Sequence, residues 1–487
     1  MTDAEKAVQL VMPGYKFGID DPDEALMLAE MGVGGFCLYG GLPDEVAAFS
    51  AKLQERAPRR LLLNADYEDG VATQCPGGTP LPSNMGLGAS NSETLAFEKG
   101  EITAAESRAM GVDWVLAPVC DLATAPGNPI VNVRSFGADP GDVARLARAY
   151  LRGLRSKGAL GCLKHFPGHG ETLEDSHLKL PAVRLPKEQL RGRELMPFAS
   201  LAPDADAVMT GHLLVPALAG EDTPYSISAD VAKTLRAELG FTGLVSTDAL
   251  AMQAIAANFD ELDASKRALL GGSDILLVPT DARALIRELG PAVEGDPALA
   301  AAVAAAHARL EKALAAVAAA AKPGPFSEVG GAKHAERAER MAEACLAWAK
   351  EPRPALPKSF SYWEPEAETA DEWQGQAFVA ALRELGHEVT PFKEGAKADT
   401  LVVGAFLSPR AYTGRIQYSD EEKARLKSAL SSAGRALIAS FGSPFVFPAL
   451  AADGLCSFSK SEPAQRAMAR ALAGQLPVKG RMPVPLW

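Results

Sequence analysis

The sequence lacks a surplus of basic residues. Its 487 residues carry 49 lysines and arginines against 61 aspartates and glutamates, so the formal net charge is −12 with histidine neutral. Few cations are therefore available to neutralise phosphates, which argues against nucleic acid and against an anionic membrane surface as partners. No stretch reaches about 18 apolar residues without a charge, so we expect no membrane-spanning helix.

Cysteine is also scarce. No pair has the spacing of metal ligands, and three of the thiols lie inside apolar runs, where we expect them to be buried. This usage indicates a reducing compartment. The first 21 residues lack the pattern of a secretory signal peptide, so we expect a cytoplasmic protein. The six cysteines are at positions 37, 75, 120, 162, 345 and 456.

Several cofactor and nucleophile motifs are missing as well. The chain contains no P-loop, no G-x-G-x-x-G after a strand and no G-x-S-x-G nucleophile turn. We therefore expect no cofactor and no serine hydrolase of that type. The hydrophobic fraction of 47% and the charged fraction of 23% are those of an ordinary globular protein.

Eight short runs with strand character alternate with helical segments in the first two thirds of the chain. Most runs are continuously apolar, which is typical of parallel strands that are buried on both faces. The pattern predicts an α/β fold, with a (β/α)8 barrel over residues 1–322; a doubly wound sheet is the alternative. The runs are 8–12, 34–39, 60–66, 114–120, 159–166, 207–213, 243–249 and 274–279.

The rest of the chain predicts a second, smaller unit. A long alanine-rich helix over 298–322, capped by Asp296, closes the first unit, and the Pro- and Gly-rich segment 323–333 reads as a linker. Residues 334–487 then predict an αβα layered domain with no visible catalytic cluster. It could brace the barrel, extend the pocket or mediate dimerisation. Its expected helices are 334–350, 375–385, 420–432 and 463–474, and its expected strands 387–392, 400–406 and 436–442.

Histidine and acidic residues are concentrated in one segment, KHFPGHGETLEDSH at 164–177. Four of the seven histidines lie between 165 and 212, and the segment begins where the fifth predicted strand ends. Functional groups of barrels lie at the carboxyl ends of strands and on the loops that follow. Other strand ends carry Asp66, Asp121, His212 and Asp248. Asp248 alone has a simpler reading, as the cap of a helix over 249–258.

Asp175 and His177 are spaced so that both side chains point the same way on an extended loop. The carboxylate of Asp175 could then fix the imidazole tautomer of His177 and raise its basicity, as general acid–base chemistry requires. Asp248 could act as a nucleophile at an anomeric carbon. A zinc site of His165 and His169 with His177 or Asp175 is disfavoured, because Pro167 and Gly168 interrupt the helix that this spacing needs.

The 164–177 segment resembles the signature K-H-F-P-G-H-G…D-S-H of family 3 glycoside hydrolases of the β-N-acetylglucosaminidase type. Asp66 on the third strand, NVRSFG at 132–137 and STDAL at 246–250 agree in order and spacing. The resemblance covers about residues 5–320. The second unit is less specifically similar to the αβα sandwich of two-domain members, best in SFGSPFVF at 440–447.

The resemblance implies a retaining exo-β-N-acetylglucosaminidase that acts on glycosides or cell-wall fragments. Asp248 would be the nucleophile, and His177 the acid and base with Asp175 as its partner. A small carbohydrate would be the only partner, with no metal. The oligomeric state stays open. The residues expected to bind the sugar are Asp66, Arg134, Lys164, His165, Gln74 and His212.

The segment after Asp66 departs from the family pattern D-x-E-G-G-R-V-x-R. Both arginines are lost, one to Val71 and one to Gln74, which keeps hydrogen bonding but no charge. The departure leaves a β-glucosidase, a phosphorylase and a degenerate sugar-binding protein as alternatives. A histidine acid–base is neutral after it donates its proton, so phosphate could replace water as the incoming nucleophile.

Overall fold

The computed structural model describes residues 1–176, 178–367, 369–409 and 416–487. His177 therefore lies outside the described residues. In the part that is described, short strands and helices alternate through the first two thirds of the chain. The strands there are β1 (Val11–Met12), β2 (Gly14–Lys16), β3 (Cys37–Tyr39), β4 (Asn64–Ala65), β5 (Trp114–Val115), β6 (Cys162–Phe166), β7 (Ala207–Thr210), β8 (Leu244–Thr247) and β9 (Leu276–Leu277).

These strands pair in parallel. β2, β3, β4 and β5 form one sheet in that order, β6, β7 and β8 form another, and β1 pairs with β9. Single bridges join Trp114 to Leu160 and Ser246 to Ile275, which connects β5 to the start of β6 and β8 to the start of β9. Consecutive strands are therefore neighbours, and their carboxyl ends share one edge. The predicted α/β fold with parallel pairing is confirmed.

Each predicted run contains a strand, but the strands are shorter than the runs. In the run 60–66 only Asn64 and Ala65 are in the ladder, although Leu61, Leu62 and Leu63 are buried. The apolar runs report burial, which extends beyond the regular hydrogen-bonded pairing. The strand β2, after Pro13, was not predicted.

Helices alternate with the strands and pack against them and against one another. α6 shows how the sequence specifies one: Asp139 caps it by accepting from the backbone N of Asp142, Pro140 occupies its first turn, and its apolar face packs on α5. The helices of this part are α1 (Asp3–Val8), α2 (Pro22–Glu30), α3 (Pro43–Arg56), α4 (Asn84–Ser90), α5 (Glu93–Ala109), α6 (Pro140–Ser156), α7 (Lys187–Gly192), α8 (Leu195–Leu201), α9 (Pro216–Ala219), α10 (Asp230–Ala232), α11 (Gln253–Ala256), α12 (Glu261–Leu270), α13 (Ala282–Glu294) and α14 (Pro297–Ala319).

One helix prediction is confirmed and one is wrong. Asp296 caps α14 by accepting from two backbone N–H groups at its start, as expected. The expected helix over 249–258 is only the short α11, which Met252 precedes. Asp248 therefore caps no helix. The chain between Asp248 and α11 is irregular, because Leu250 N donates to Leu277 O at the end of β9 and Ala251 N donates to Val278 O just after it.

Residues 347–456 contain a six-stranded sheet in the order β10, β15, β14, β13, β11, β12. Its pairings are parallel except for β10 with β15, which is antiparallel. The elements are α15 (Ala332–Ala344), β10 (Ala347–Trp348), β11 (Ser359–Trp363), α16 (Gln376–Glu384), β12 (Glu388–Pro391), β13 (Thr400–Ala405), α17 (Asp420–Ser432), β14 (Arg435–Ser440), α18 (Val446–Leu450), β15 (Gly454–Cys456) and α19 (Glu462–Leu472).

The expected helix 334–350 is therefore too long, since β10 follows α15, and the strands β10, β11 and β15 were not predicted. Met85 and Val133 of the first part share a buried apolar cluster with Val403 and Ile438 of the six-stranded sheet, so the two parts pack together. Within the described residues, no helix is long and apolar enough to cross a bilayer.

Candidate active site

A cavity of about 490 Å³ opens at the carboxyl edge of the parallel strands. Side chains at or just after β3, β4, β6, β7 and β8 line it, as the strand-end argument predicts. Six of the nine expected site residues line this cavity, whereas Asp175 and His212 lie outside the lining. The six are Asp66, Gln74, Arg134, Lys164, His165 and Asp248.

Lys164 is the centre of an ion-pair network in the cavity wall. Its Nζ lies 2.6 Å from Oδ1 of Asp66 and 2.5 Å from Oε1 of Glu68. Arg134 donates to the same Glu68 carboxylate through Nε at 2.8 Å and Nη2 at 2.7 Å. Two cations and two carboxylates therefore hold each other at fixed positions, which organises the cavity before a ligand binds.

Burial and charge act in opposite directions on this network. Burial raises the pKa of Glu68, but the charges of Arg134 and Lys164 outweigh it and hold the pKa well below its usual value. Burial lowers the pKa of Lys164, and the carboxylates of Asp66 and Glu68 more than reverse this, so its pKa is raised. Glu68 and Lys164 are therefore both charged at neutral pH.

A second buried cation supports the same wall. Lys99 on α5 is fully buried, and its Nζ lies 2.7 Å from Oδ1 of Asp69 and 2.7 Å from Oδ1 of Asn84. Asn84 in turn donates to the carbonyl of Arg134 at 2.8 Å. Lys99 thus anchors Asp69, in the segment that brings Asp66, Glu68 and Gln74 to the cavity.

Asp121 organises the segment that contains the histidines. Its carboxylate is fully buried and accepts from the backbone N of His165 and of His169, the latter at 2.7 Å, and lies 2.6 Å from Nδ1 of His165. Because a carboxylate only accepts, the proton of this contact belongs to Nδ1. Burial raises the pKa of Asp121, but the contacts with His165 outweigh it and the pKa is lowered.

His169 is engaged on both ring nitrogens. Nδ1 lies 2.6 Å from Oγ1 of Thr172, and Nε2 lies 3.2 Å from Oγ of Ser176. Burial lowers the pKa of His169 to about 4, so the ring is neutral at pH 7. In the described part of the chain no histidine, cysteine or carboxylate cluster is arranged for a metal ion. His169 is a structural group that connects the start of the loop to Ser176, next to His177.

Asp248 directly follows β8 and is half-buried in the cavity wall. Its backbone N donates to Thr210 O on β7, and its Oδ1 accepts from Ala249 N at 2.8 Å. These two bonds orient the side chain. His212 lies beneath, fully buried, with Nδ1 2.7 Å from Ser226 Oγ and Nε2 2.9 Å from Ala249 O.

Sequence reasoning missed several cavity residues. Glu68 follows Asp66 by two positions, in the segment compared with the family pattern, and Phe441 lies in the 440–447 stretch that carries the second resemblance. The other residues from this part of the chain follow β13 and β15 and carry no local signal, because they are far in sequence from the rest of the site. The cavity residues from that part are Ser408, Pro409, Phe441, Phe458, Ser459 and Lys460.

The cavity presents paired carboxylates and cations at the carboxyl edge of parallel strands. Such a site suits a ligand with many hydroxyl groups, as in a carbohydrate-active enzyme. The family model described as "Glycosyl hydrolase family 3 N terminal domain" matches residues 2–313. The chain belongs to glycosyl hydrolase family 3, and it is a glycoside hydrolase that acts on carbohydrate.

The relatives agree with this assignment. A β-hexosaminidase of Xylella fastidiosa (strain M12) is 39% identical over 242 residues, which are 48% of this chain and 71% of the relative. A family 3 β-N-acetylglucosaminidase from Paenibacillus sp. str. FPU-7 is 31% identical, with a TM-score of 0.87 over 100% of this chain and 99% of that chain. The resemblance to the β-N-acetylglucosaminidase subgroup is thereby confirmed.

A β-glucoside phosphorylase has the same fold over the whole chain. Its TM-score is 0.90 at 23% identity, covering 100% of this chain and 95% of that chain. At this identity the likeness concerns the fold alone. The six-stranded sheet is thus shared between proteins whose names describe different reactions.

Proposed function

We propose that the protein is a retaining exo-β-N-acetylglucosaminidase that releases terminal β-linked GlcNAc from glycosides or cell-wall fragments. The observation that carries the proposal is the position of Asp248 in the same cavity as Asp66, Lys164, His165 and Arg134. A half-buried carboxylate beside a preorganised set of donors suits covalent attack on a sugar. The β-hexosaminidase and β-N-acetylglucosaminidase relatives support the choice of sugar.

The first step would form a glycosyl-enzyme. A carboxylate oxygen of Asp248 attacks the anomeric carbon, and the bond from that carbon to the leaving oxygen breaks. His177 donates its proton to the leaving oxygen, and Asp175 holds its ring. In the second step His177 takes a proton from water, the water oxygen attacks the anomeric carbon, and the bond to Asp248 breaks. Both groups return to their initial states.

The sugar hydroxyls would be held by the groups that the network leaves available. In the described part of the chain, Lys164 donates two of its three N–H groups to Asp66 and Glu68. Arg134 donates three of its five N–H groups, two to the carboxylate of Glu68 and one to the carbonyl of Ile130. The remaining donors, together with Asp66, His165 and Gln74, can bind hydroxyls. We assign His212 to orienting Ala249 and thereby Asp248, instead of contacting the sugar.

We further propose that residues 1–322 form a closed (β/α)8 barrel, that 323–333 is a linker and that 334–487 is an αβα domain. The ring of pairings from β2 to β9, and from β9 to β1, supports the barrel. The proposed linker is anchored, because Gly330 N donates to Oε1 of the buried Glu106 at 3.1 Å. The second domain would extend the pocket, since Ser408, Phe441 and Lys460 line the same cavity as Asp248.

The decisive experiment compares hydrolysis of a chromogenic β-glycoside of GlcNAc with that of the matching glucoside, each with and without phosphate. We expect the GlcNAc glycoside to be the better substrate and free GlcNAc to be the product. A sugar 1-phosphate as the main product would make the protein a phosphorylase. Failure to turn over either glycoside, with a cooperative unfolding transition intact, would contradict the enzyme mechanism.

A further inference from the structure

Glu194 is a buried carboxyl group that the proposed mechanism does not use. It directly precedes α8, its side chain is fully buried, and in the described part of the chain neither carboxyl oxygen has a hydrogen-bond partner. The nearest cation is Arg193, whose Nη2 is 3.8 Å from Oε1 of Glu194 but only 2.6 Å from Oε1 of Glu171. A carboxylate at this place would be a poorly compensated buried charge.

The carboxyl group packs against the histidine loop, which we define as residues 167–176. A β-carbon added to Gly168 would lie 3.0 Å from Oε2 of Glu194, and one added to Gly170 would also lie 3.0 Å from it. The carboxyl therefore fills the space against the backbone on both sides of His169. Glycine is needed at both places for this close approach.

The contact reaches the proposed acid–base group through the loop. His169 lies between the two glycines, its backbone N donates to Asp121, and its Nε2 is 3.2 Å from Oγ of Ser176. Ser176 is the residue between Asp175 and His177. A movement of the backbone at Gly168–Gly170, against which Glu194 packs, would therefore displace the residues that lead to His177.

The charges that face Glu194 disfavour its ionisation. Burial, and then the carboxylates of Asp121 and Glu171, raise its pKa to about 8, whereas Arg193 lowers it. The nearby ring of His169 contributes no charge at neutral pH, because burial lowers its pKa to about 4. Glu194 therefore carries its proton at neutral pH and packs as a neutral group.

We propose that Glu194 is a positioning residue, which supports the histidine loop as a neutral carboxylic acid and releases the loop when it ionises. The inference rests on the proposed function, because it assigns the loop to the presentation of His177. Once ionised, the carboxylate gains hydration only if the loop moves away. Turnover should then decrease at alkaline pH for a reason that is separate from the titration of His177.

The test is the pH profile of kcat for four proteins: the wild type, Glu194→Gln, Glu171→Gln and Arg193→Gln. The substrate is a GlcNAc β-glycoside with a phenol leaving group that needs little protonation. Glu171→Gln removes a negative charge and should shift the alkaline limb to lower pH. Arg193→Gln should shift it to higher pH, each by roughly half a pH unit. Glu194→Gln should remove this limb. Four coincident profiles would overturn the proposal.

A second measurement needs no turnover. Hydrogen–deuterium exchange of the loop, corrected for the intrinsic pH dependence, should increase above about pH 8 in the wild type and stay constant in Glu194→Gln. Should Glu194→Gln not fold, Glu171→Gln and Arg193→Gln still give opposite shifts or contradict the proposal. If the exchange pattern is observed without any turnover, the proposed glycosidase activity is contradicted and the role of Glu194 in supporting the loop is retained. If turnover is observed without the exchange pattern, only the role of Glu194 is contradicted.

Discussion

Nζ of Lys164 lies 2.6 Å from Oδ1 of Asp66, although 98 positions separate the two residues in the chain. The contact joins the carboxylate that follows β4 to the buried ammonium on β6. Because each group is charged and held by the other, neither needs to reorganise when a sugar hydroxyl binds. The carboxylate of Asp248 lies in the same cavity, beside this preorganised wall.

Replacing Asp248 should abolish the reaction and keep the fold. We expect Asp248→Ala to lower kcat at least about 10³-fold, because no other group in the proposal forms the glycosyl-enzyme. Asp263→Ala, at a partly exposed position on α12 outside the cavity lining, is the control and should leave kcat unchanged. Sodium azide should fit the space of the missing carboxylate and yield the α-glycosyl azide. A variant with nearly the wild-type rate would show that Asp248 is not the nucleophile.

Replacing His177 should make the rate depend on the leaving group. His177→Ala removes the proton donor, so alkyl glycosides and disaccharides should be hydrolysed very slowly. For an aryl glycoside whose phenol leaves as a stable anion, the rate of the first step should fall much less. The measurement is kcat/KM for a series of aryl GlcNAc glycosides. A uniform loss across the series would contradict the acid–base assignment.

Glu68 should contribute stability that disappears in acid. Its pKa is held well below its usual value in the folded protein, so its contribution is present above about pH 4.5 and is lost as the pH falls toward the folded-state pKa. Glu68→Gln should therefore be less stable than the wild type at pH 7, by about 3 kcal/mol. The deficit should shrink below pH 4 in denaturant titrations. A deficit that is constant from pH 7 to pH 3 would contradict the ion-pair account.

Lys460 tests whether the second part of the chain acts in the site. It is exposed at the cavity, next to Ser459 and Phe458. Lys460→Ala should raise KM for a disaccharide roughly three- to tenfold, the equivalent of one hydrogen bond, with little effect on kcat or stability. Lys479→Ala, an exposed lysine away from the cavity, should change neither constant. Equal KM values for Lys460→Ala and the wild type would remove this residue from the pocket.

Much of the architecture was predictable because it depends on local patterns. Every expected parallel run contains a strand, and Asp296 and Pro297 begin α14 where capping chemistry places them. The lengths of the strands were not predictable, since burial of Leu61 and its neighbours does not imply regular pairing. The strands β10 and β15 were missed because they have only two and three residues, and β11 was missed because serines interrupt its apolar run.

The candidate site was also only partly predictable from the sequence. Asp66, Lys164 and Asp248 can be picked out from the sequence as polar residues at the ends of apolar runs. They can be expected to meet because a parallel fold places those strand ends at one edge. The pairing of Glu68 with both Arg134 and Lys164 was not visible. Nor was the wall from the second part of the chain, since Lys460 is nearly 300 positions from Lys164 and carries no motif.

The order of the residues is therefore enough to specify the family, the parallel strands and the chemical groups that reach the carboxyl edge. These are properties of neighbours along the chain and of repeating patterns. Tertiary packing decides the charge states and the partners. It buries Glu194 against the glycines of the histidine loop and keeps it protonated, and it surrounds Glu68 with two cations and keeps it ionised. Both are glutamates, and burial and neighbouring charges, which come from distant parts of the chain, give them opposite protonation states.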